Sequence, residues 1–390
     1  MPYQVKFKHP PAGYAASVAK EGAKTVQVVF REFLSSEDGM ELIKRLEGFP
    51  TEVINLLGSN SIKQSQIDHM IVHFDKEGHG TVYINELTQI GKVRVRRSIE
   101  KGDPLYDDDI IDYEELKFND IEVPLDHGVL VVFSKGWRKG LYFDFEPICP
   151  QGKNRSYSLW SALGHYYNYL AFQEIHCLSE ETWSALFAGK WFPFVGLRRE
   201  TINALISWVN SGSSGDEILP AAVKDVKENI SKLKEKWEEN PIFKDHSSFF
   251  NKALERFEEE DWISANSILY PRIEGILRSV AKSSKTNGYS QKKLSKAPLE
   301  FSQLNPMGSS RLLPKKFYQY LKDIYFQDFD PERPGDISRN TVGHGVAGEE
   351  YFSEKAATIG FLIIEQIFYH IPPKNLLAMG TEPNNKDEKS

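Results

Sequence analysis

Through roughly the first 145 residues the apolar positions fall in short runs with a period close to two. Thr81-Val82-Tyr83-Ile84-Asn85, Lys92-Val93-Arg94-Val95-Arg96 and Val129-Leu130-Val131-Val132-Phe133 all read as strands. One helix interrupts them, with Ser36 as its cap, Glu37 and Asp38 in its first turn, and an apolar stripe of Met40, Leu42, Ile43 and Leu46. The pattern predicts an α+β domain over residues 1–150 built on a mainly antiparallel sheet. From Ser156 to about Asn210 the period becomes helical and aromatic, with Trp160, Tyr166, Tyr167, Trp183, Trp191 and Phe192 among its large residues. Aromatics at that spacing are more often core than base-stacking surface. We therefore expect a helical segment over 151–215 packed on the N-terminal domain and ending in the linker Ser211-Gly212-Ser213-Ser214-Gly215-Asp216.

Beyond the linker the pattern predicts an all-α unit over 216–375 and a disordered tail over 376–390. Val223, Val226, Ile230, Leu233 and Trp237 form a stripe at 3-4-3-4 spacing, barely two heptads long, that either docks on its own domain or seals a dimer. Further helices are expected at about 246–259, 261–283, 314–327 and 349–370. Pro314 suits a first turn, and Pro372-Pro373 ends the last helix. Pro271 should kink the second of these helices. Beside that kink Glu274 and Arg278 lie four apart. They form either a structural ion pair or a support through which Glu274 orients a residue of a neighbouring helix.

Composition adds a compartment and a charge map. With 40% hydrophobic and 12% aromatic residues, 390 residues can bury a core without staples. Cys149 and Cys177 are far apart and have no ligand spacing, so neither a disulfide framework nor a zinc site is expected, and a reducing cytoplasm fits. No leader-like start is present, and no run approaches the ~18 apolar residues of a membrane span. The net charge of −7 argues against a protein that coats nucleic acid, but the charge is unevenly spread. From Ala281 to Lys322 nine basic residues, including Lys292, Lys293, Lys296, Lys315 and Lys316, face the single acid Glu300. Asp107-Asp108-Asp109 and Asp112-Tyr113-Glu114-Glu115 are acidic.

The basic stretch leads into Ser338-Arg339-Asn340-Thr341-Val342-Gly343-His344-Gly345. Arginine can grip phosphate oxygens through two parallel hydrogen bonds, and histidine exchanges protons near neutrality. Attack of a ribose 2′-hydroxyl on its own phosphodiester needs both a proton carrier and a cation for the developing oxyanion. On an ideal helix Asn340 and His344 share a face, whereas Arg339 and His344 lie about 140° apart. Either the turn is irregular, which Gly343 would allow, or Arg339 reaches round the helix.

The string resembles the Arg-(Asn/Asp/His)-x-x-x-His motif of the HEPN superfamily, all-helical domains found in many prokaryotic toxin and defence ribonucleases. Asn340 fills the polar second position and Gly345 follows the histidine. Ala265 to Arg278 resembles the family's first core helix, so the likeness covers about residues 245–372. It implies metal-independent endoribonuclease activity without a cofactor. Arg339 would bind the scissile phosphate, His344 would act as general acid or base, and Asn340 would orient it or bond the phosphate. Glu274 and Arg278 would support them, and Lys292, Lys293, Lys296, Lys315 and Lys316 would hold RNA. A homodimer that faces two motifs across one cleft is implied too, together with an antitoxin or phage-derived trigger as partner. The rival expectation is a non-catalytic helical module for RNA or ligand binding and dimerisation.

Asp75 to Glu86 fits an EF-hand loop at Asp75, Glu77, Gly80 and Glu86, but His79 stands at an oxygen position and strand-like flanks predict a hairpin instead. Signatures of P-loops, dinucleotide folds, zincins and hydrolase elbows are missing.

Overall fold

The alternating runs are strands. A computed structural model of the chain describes residues 2–7, 13–22, 24–31, 48, 50–58, 63, 66–149, 151–284, 288–302, 309–329, 332 and 338–371. The helix predicted from Ser36 and the predicted tail lie outside the described residues. The protein is α+β, and it divides into two units: residues 1–94 with 113–173, and 95–112 with 174–390.

In the first unit, β1 (Tyr3–Lys6), β4 (Met70–Phe74), β5 (His79–Ile84), β8 (Gly128–Lys135) and β9 (Arg138–Asp144) form an antiparallel sheet in the order β1-β5-β4-β8-β9. Strands β2 (Gly13–Val18) and β3 (Gln27–Arg31) form a separate pair, as do β6 (Gln89–Val95) and β7 (Ile110–Phe118), of which Val95 and residues 110–112 are assigned to the second unit. One sheet face carries Val72, Phe74, Val82, Leu130 and Val132 into a core with Val53 and Ile54. The other face meets α1 (Leu159–Ala171) through Phe133 and Tyr167, 6.1 Å between ring centres. Asn168 of α1 completes the edge of β7. Its side-chain oxygen accepts from the Tyr113 N–H at 2.8 Å and its amide donates to the Tyr113 carbonyl at 3.0 Å. Gly164 permits this approach, since a Cβ there would stand 2.7 Å from the Glu115 nitrogen. Residues 75–78 make the predicted hairpin turn, with the Asp75 carboxylate accepting from the His79 N–H at 2.8 Å and Gly78 at φ +79°.

The second unit is helical: α2 (Gln173–His176, from its second residue), α3 (Glu180–Ala188), α4 (Arg199–Asn210), α5 (Leu219–Glu239), α6 (Pro241–Lys244), α7 (Ser247–Glu258), α8 (Trp262–Ser283), α9 (Gln291–Ser302), α10 (Pro314–Tyr320), α11 (Arg339–Gly343) and α12 (Glu354–His370). Helix α12 is central and buried around almost its whole circumference. It approaches α8 at Gly360, where a Cβ would sit 3.2 Å from Leu269. Trp191, Phe192, Phe194, Phe317 and Tyr320 form an aromatic core, so this part of the aromatic segment packs inside.

The chain crosses between units at Gln173/Glu174, so the 151–215 segment is shared between them. Ser211–Asp216 lies within the second unit as a capped turn rather than at its edge. Gly212 takes φ +75°, Ser214 caps the next turn, and Trp191 donates to Asp216 at 2.7 Å. Residues 95–112 join this unit because the Arg96 guanidinium is buried on the carbonyls of Val195, Gly196 and Leu197. Arg311, held on the Ile110 and Leu197 carbonyls, is pushed down to about 9 by burial and by Arg96. Val226 and Trp237 of the heptad-like stripe are buried within this unit. No described helix is long and apolar enough to cross a membrane.

Candidate functional site

Helix α11 is one turn and a half long, and its two ends explain its length. Ser338 caps it, its hydroxyl accepting from the Thr341 N–H at 3.2 Å while the Thr341 hydroxyl accepts from the Ser338 N–H at 2.8 Å. At the other end His344 is the cap residue and Gly345 turns left-handed at φ +65°, the usual glycine stop. The motif lies along this one short helix. Arg339 opens it and His344, still right-handed, ends it with its N–H on the Asn340 carbonyl at 3.0 Å, so the turn is regular and any approach of the pair comes from the Arg339 side chain.

Arg339 folds back along its own helix. Its guanidinium lies against Gly343, where a Cβ would be 3.1 Å from Nη1 and 3.4 Å from Cζ. Its Nε donates to Oε2 of Glu274 on α8. The other Glu274 oxygen accepts from Arg278 Nε at 2.9 Å and Nη2 at 2.6 Å. The buried Glu274 carboxylate thus pairs within α8 and also with Arg339 on α11. Two arginines on one carboxylate leave a net positive charge. The Arg339 side chain is 27% exposed and that of Arg278 48%. Among the described residues Arg339 Nη2 has no hydrogen-bond partner.

Asn340 is buried and faces inward. Its amide nitrogen donates to the carbonyls of Phe326 at 3.1 Å and Gln327 at 3.2 Å, and its oxygen accepts from Gln291 at 2.6 Å. Such an amide anchors α11 and is not placed to bond a phosphate. His344 is exposed, its ring tilted against Phe329 at 5.5 Å, and no described residue bonds its nitrogens.

The lysines divide. Lys292, Lys293 and Lys296 are exposed on α9, whose first residue Gln291 touches Asn340. Lys296 has Glu300 at 3.7 Å. Lys315 and Lys316 begin α10, and Lys316 is engaged, bonding Glu180 at 2.9 and 3.0 Å and lying over the Trp183 ring. Sequence reasoning missed Gln291, Phe329 and Tyr289, whose ring lies 5.6 Å from the Arg278 guanidinium. They sit in polar stretches with no periodicity to mark them.

Chemically, the site offers a guanidinium held by a buried carboxylate, with one nitrogen that no described residue bonds, and an exposed imidazole at the other end of the same short helix. Among the described residues no group of three or more His, Cys, Asp and Glu side chains is placed to hold a metal ion. Comparison of the chain with protein-family models, with curated proteins and with solved structures gave no match.

Proposed function

We propose that the chain is a metal-independent endoribonuclease of HEPN type, acting as a toxin or anti-phage effector. The observation that carries this reading is the pairing of Arg339 with the buried Glu274 at one end of a five-residue helix whose other end presents His344 to solvent. Arg339 binds the scissile phosphate through its open edge and stabilises the additional negative charge that develops as the 2′-oxygen attacks. His344 exchanges the proton, either removing it from the 2′-hydroxyl or delivering it to the departing 5′-oxygen. Each role needs its own group, and a second copy of the motif in a homodimer would supply the other. Glu274 holds Arg339, Asn340 holds the helix, and Arg278 adds positive charge. Lys292, Lys293 and Lys296 draw the RNA backbone toward α9. By analogy alone, the N-terminal unit senses the trigger or restricts access.

Purified protein incubated with total RNA and with tRNA in EDTA tests this. Cleavage to 2′,3′-cyclic phosphate and 5′-hydroxyl ends is expected from the wild type and not from His344→Ala. Products with 3′-hydroxyl ends, or strict dependence on added magnesium, would contradict the mechanism. One observation favours the rival non-catalytic binding module: Arg339 Nε is already satisfied by Glu274, as in a structural ion pair. An intact, dimeric protein that cuts no RNA under any activating condition would decide for it.

A further inference from the structure

An exposed tyrosine stands beside the two guanidiniums that share Glu274. Tyr289 is 48% exposed, and the Arg278 guanidinium lies over its ring, 5.6 Å from the centre. Arg278 donates to one oxygen of Glu274 and Arg339 to the other. One arginine and one carboxylate therefore separate the ring from Arg339. A second tie fixes the position independently. Two residues after Tyr289, Gln291 opens α9, and its amide donates to Asn340, the neighbour of Arg339, at 2.6 Å. Both ties lie within the second unit.

Exposure alone says little, since single exposed aromatic residues are ordinary. The surroundings give this ring its use. Between Glu274 and Glu300 the sequence carries Arg278, Lys282, Lys285, Lys292, Lys293 and Lys296 and no acid. Glu274 itself is buried and answers two arginines, so the stretch meets a polyanion with positive charge. The array alternates cation with flat ring, and a strand of nucleic acid alternates phosphate with flat ring. In a duplex the bases are paired and stacked inside the helix, beyond a surface tyrosine. In a single strand they can be splayed out and laid on an aromatic side chain or a guanidinium plane. Tyr289 and Arg278 present one of each.

We propose that Tyr289 is a stacking platform for an unpaired base of the strand whose phosphate lies on Arg339, so that the site takes single-stranded RNA and not duplex. The inference rests on the RNA-cleaving reading for the phosphate on Arg339. It selects no particular base, because every base has a π-face and stacking tolerates sequence. Tyr289 moves no proton. It sets where along the strand the phosphate falls.

The test uses the full chain, with His344→Ala to keep the RNA uncut. Single-stranded oligonucleotides carry 2-aminopurine, a base whose fluorescence is quenched by stacking, moved one position at a time. We expect quenching at one position, and at least tenfold weaker binding of the same sequence as a blunt duplex. Tyr289→Ala should abolish that quench and weaken binding about tenfold. Tyr289→Phe should restore both, because the ring and not the hydroxyl is used. Removing the base at that position should cost the protein with Tyr289 intact about tenfold and the Tyr289→Ala protein little. A quench that survives Tyr289→Ala, equal binding of duplex and single strand, or no binding of either overturns the platform. Wild-type cleavage that Tyr289→Ala leaves unchanged overturns it too, and leaves the cleavage reading standing. Ring-dependent quenching by a chain that cuts no RNA supports the platform and sinks the cleavage reading.

Discussion

Replacing Glu274 with glutamine keeps the volume of the side chain and removes the charge that holds Arg339. The amide can accept from one guanidinium through its oxygen, but its NH2 group then faces the other. One charged hydrogen bond is lost and a donor meets a donor. Removing one partner from a fully buried pair costs about 3–5 kcal/mol. Here the partners are 27% and 48% exposed, so both cations regain water, and the expected loss of stability is about 1–3 kcal/mol, readable in urea unfolding. The loss in rate should be larger in relative terms. A misplaced phosphate-binding group costs about 100-fold, and removing an electrostatic donor outright costs about 100- to 1,000-fold. Glu274→Gln should therefore lower single-turnover cleavage of a labelled oligonucleotide about 100-fold, and Arg339→Ala at least as much. The decisive comparison is the double variant, because Glu274 acts through Arg339 and its replacement should add little once Arg339 is alanine. If Glu274→Gln costs the same factor in both backgrounds, the two residues work independently and the positioning argument fails.

Gly343→Ala suits the helical backbone and should leave the melting temperature unchanged or higher, yet its Cβ at 3.1 Å displaces the Arg339 guanidinium and should slow cleavage about tenfold. An unaltered rate would show that the guanidinium need not lie there. Replacing Lys292, Lys293 and Lys296 with serine should flatten the log-log salt dependence of single-stranded RNA binding by about 2, at roughly 0.7 per contact, whereas Lys316→Ser, whose lysine is bonded to Glu180, should not. Fluorescence anisotropy with the His344→Ala protein reads this, and an unchanged slope would remove α9 from the RNA path. Burial pushes His73 and His176 down to about 4, with His127 and Arg155 adding to the effect on His73. Between pH 4 and the ordinary value near ~6.5 the unfolded chain binds more protons at these sites. They therefore contribute stability that is full above that window and is lost as pH falls through it. At pH 5 the expected loss is about 2 kcal/mol for His176 and about half that for the more exposed His73. His176→Leu should show a shallower fall in urea midpoint from pH 7.5 to 5 than the wild type, and an equal fall would refute the assignment.

Local patterns were legible wherever a residue's role is settled by near neighbours. The runs at 81–85 and 129–133 became β5 and β8, and the Gly-containing turn at 75–78 became a hairpin rather than a cation loop. Pro314 opens α10 as its fixed φ favours. Helix α9 was not legible. Its buried positions are Leu294, Ser295, Ala297 and Pro298, with a single large apolar residue among them in a lysine-rich stretch, and Pro298 argues against a helix on propensity alone. The Gly/Ser run at 211–216 has the composition of a linker, but glycine and serine serve helix caps as well as flexible chain, and composition cannot separate the two. The return of 95–112 to the second unit depends on Arg96 meeting carbonyls about a hundred residues away. No local pattern carries that information.

The motif shows the same limit inside eight residues. The residue types for phosphate chemistry are present in the string, but a five-residue helix has too few internal hydrogen bonds to stand in water. What stabilises it comes from elsewhere in the chain. The segment Leu321–Tyr325 winds as a π-helix, and the carbonyls of Phe326 and Gln327 just beyond it accept from the Asn340 amide, while α9 supplies Gln291 to its oxygen. Helix α8 adds Glu274 to Arg339. Three distant elements therefore hold α11, and only its capping box is local. The asymmetry decides which residues are free to act. Asn340, the most heavily bonded member of the motif, is committed to structure. His344, whose ring nitrogens no described residue bonds, is the member that the proposed mechanism leaves to exchange a proton with whatever the Arg339 edge brings to it.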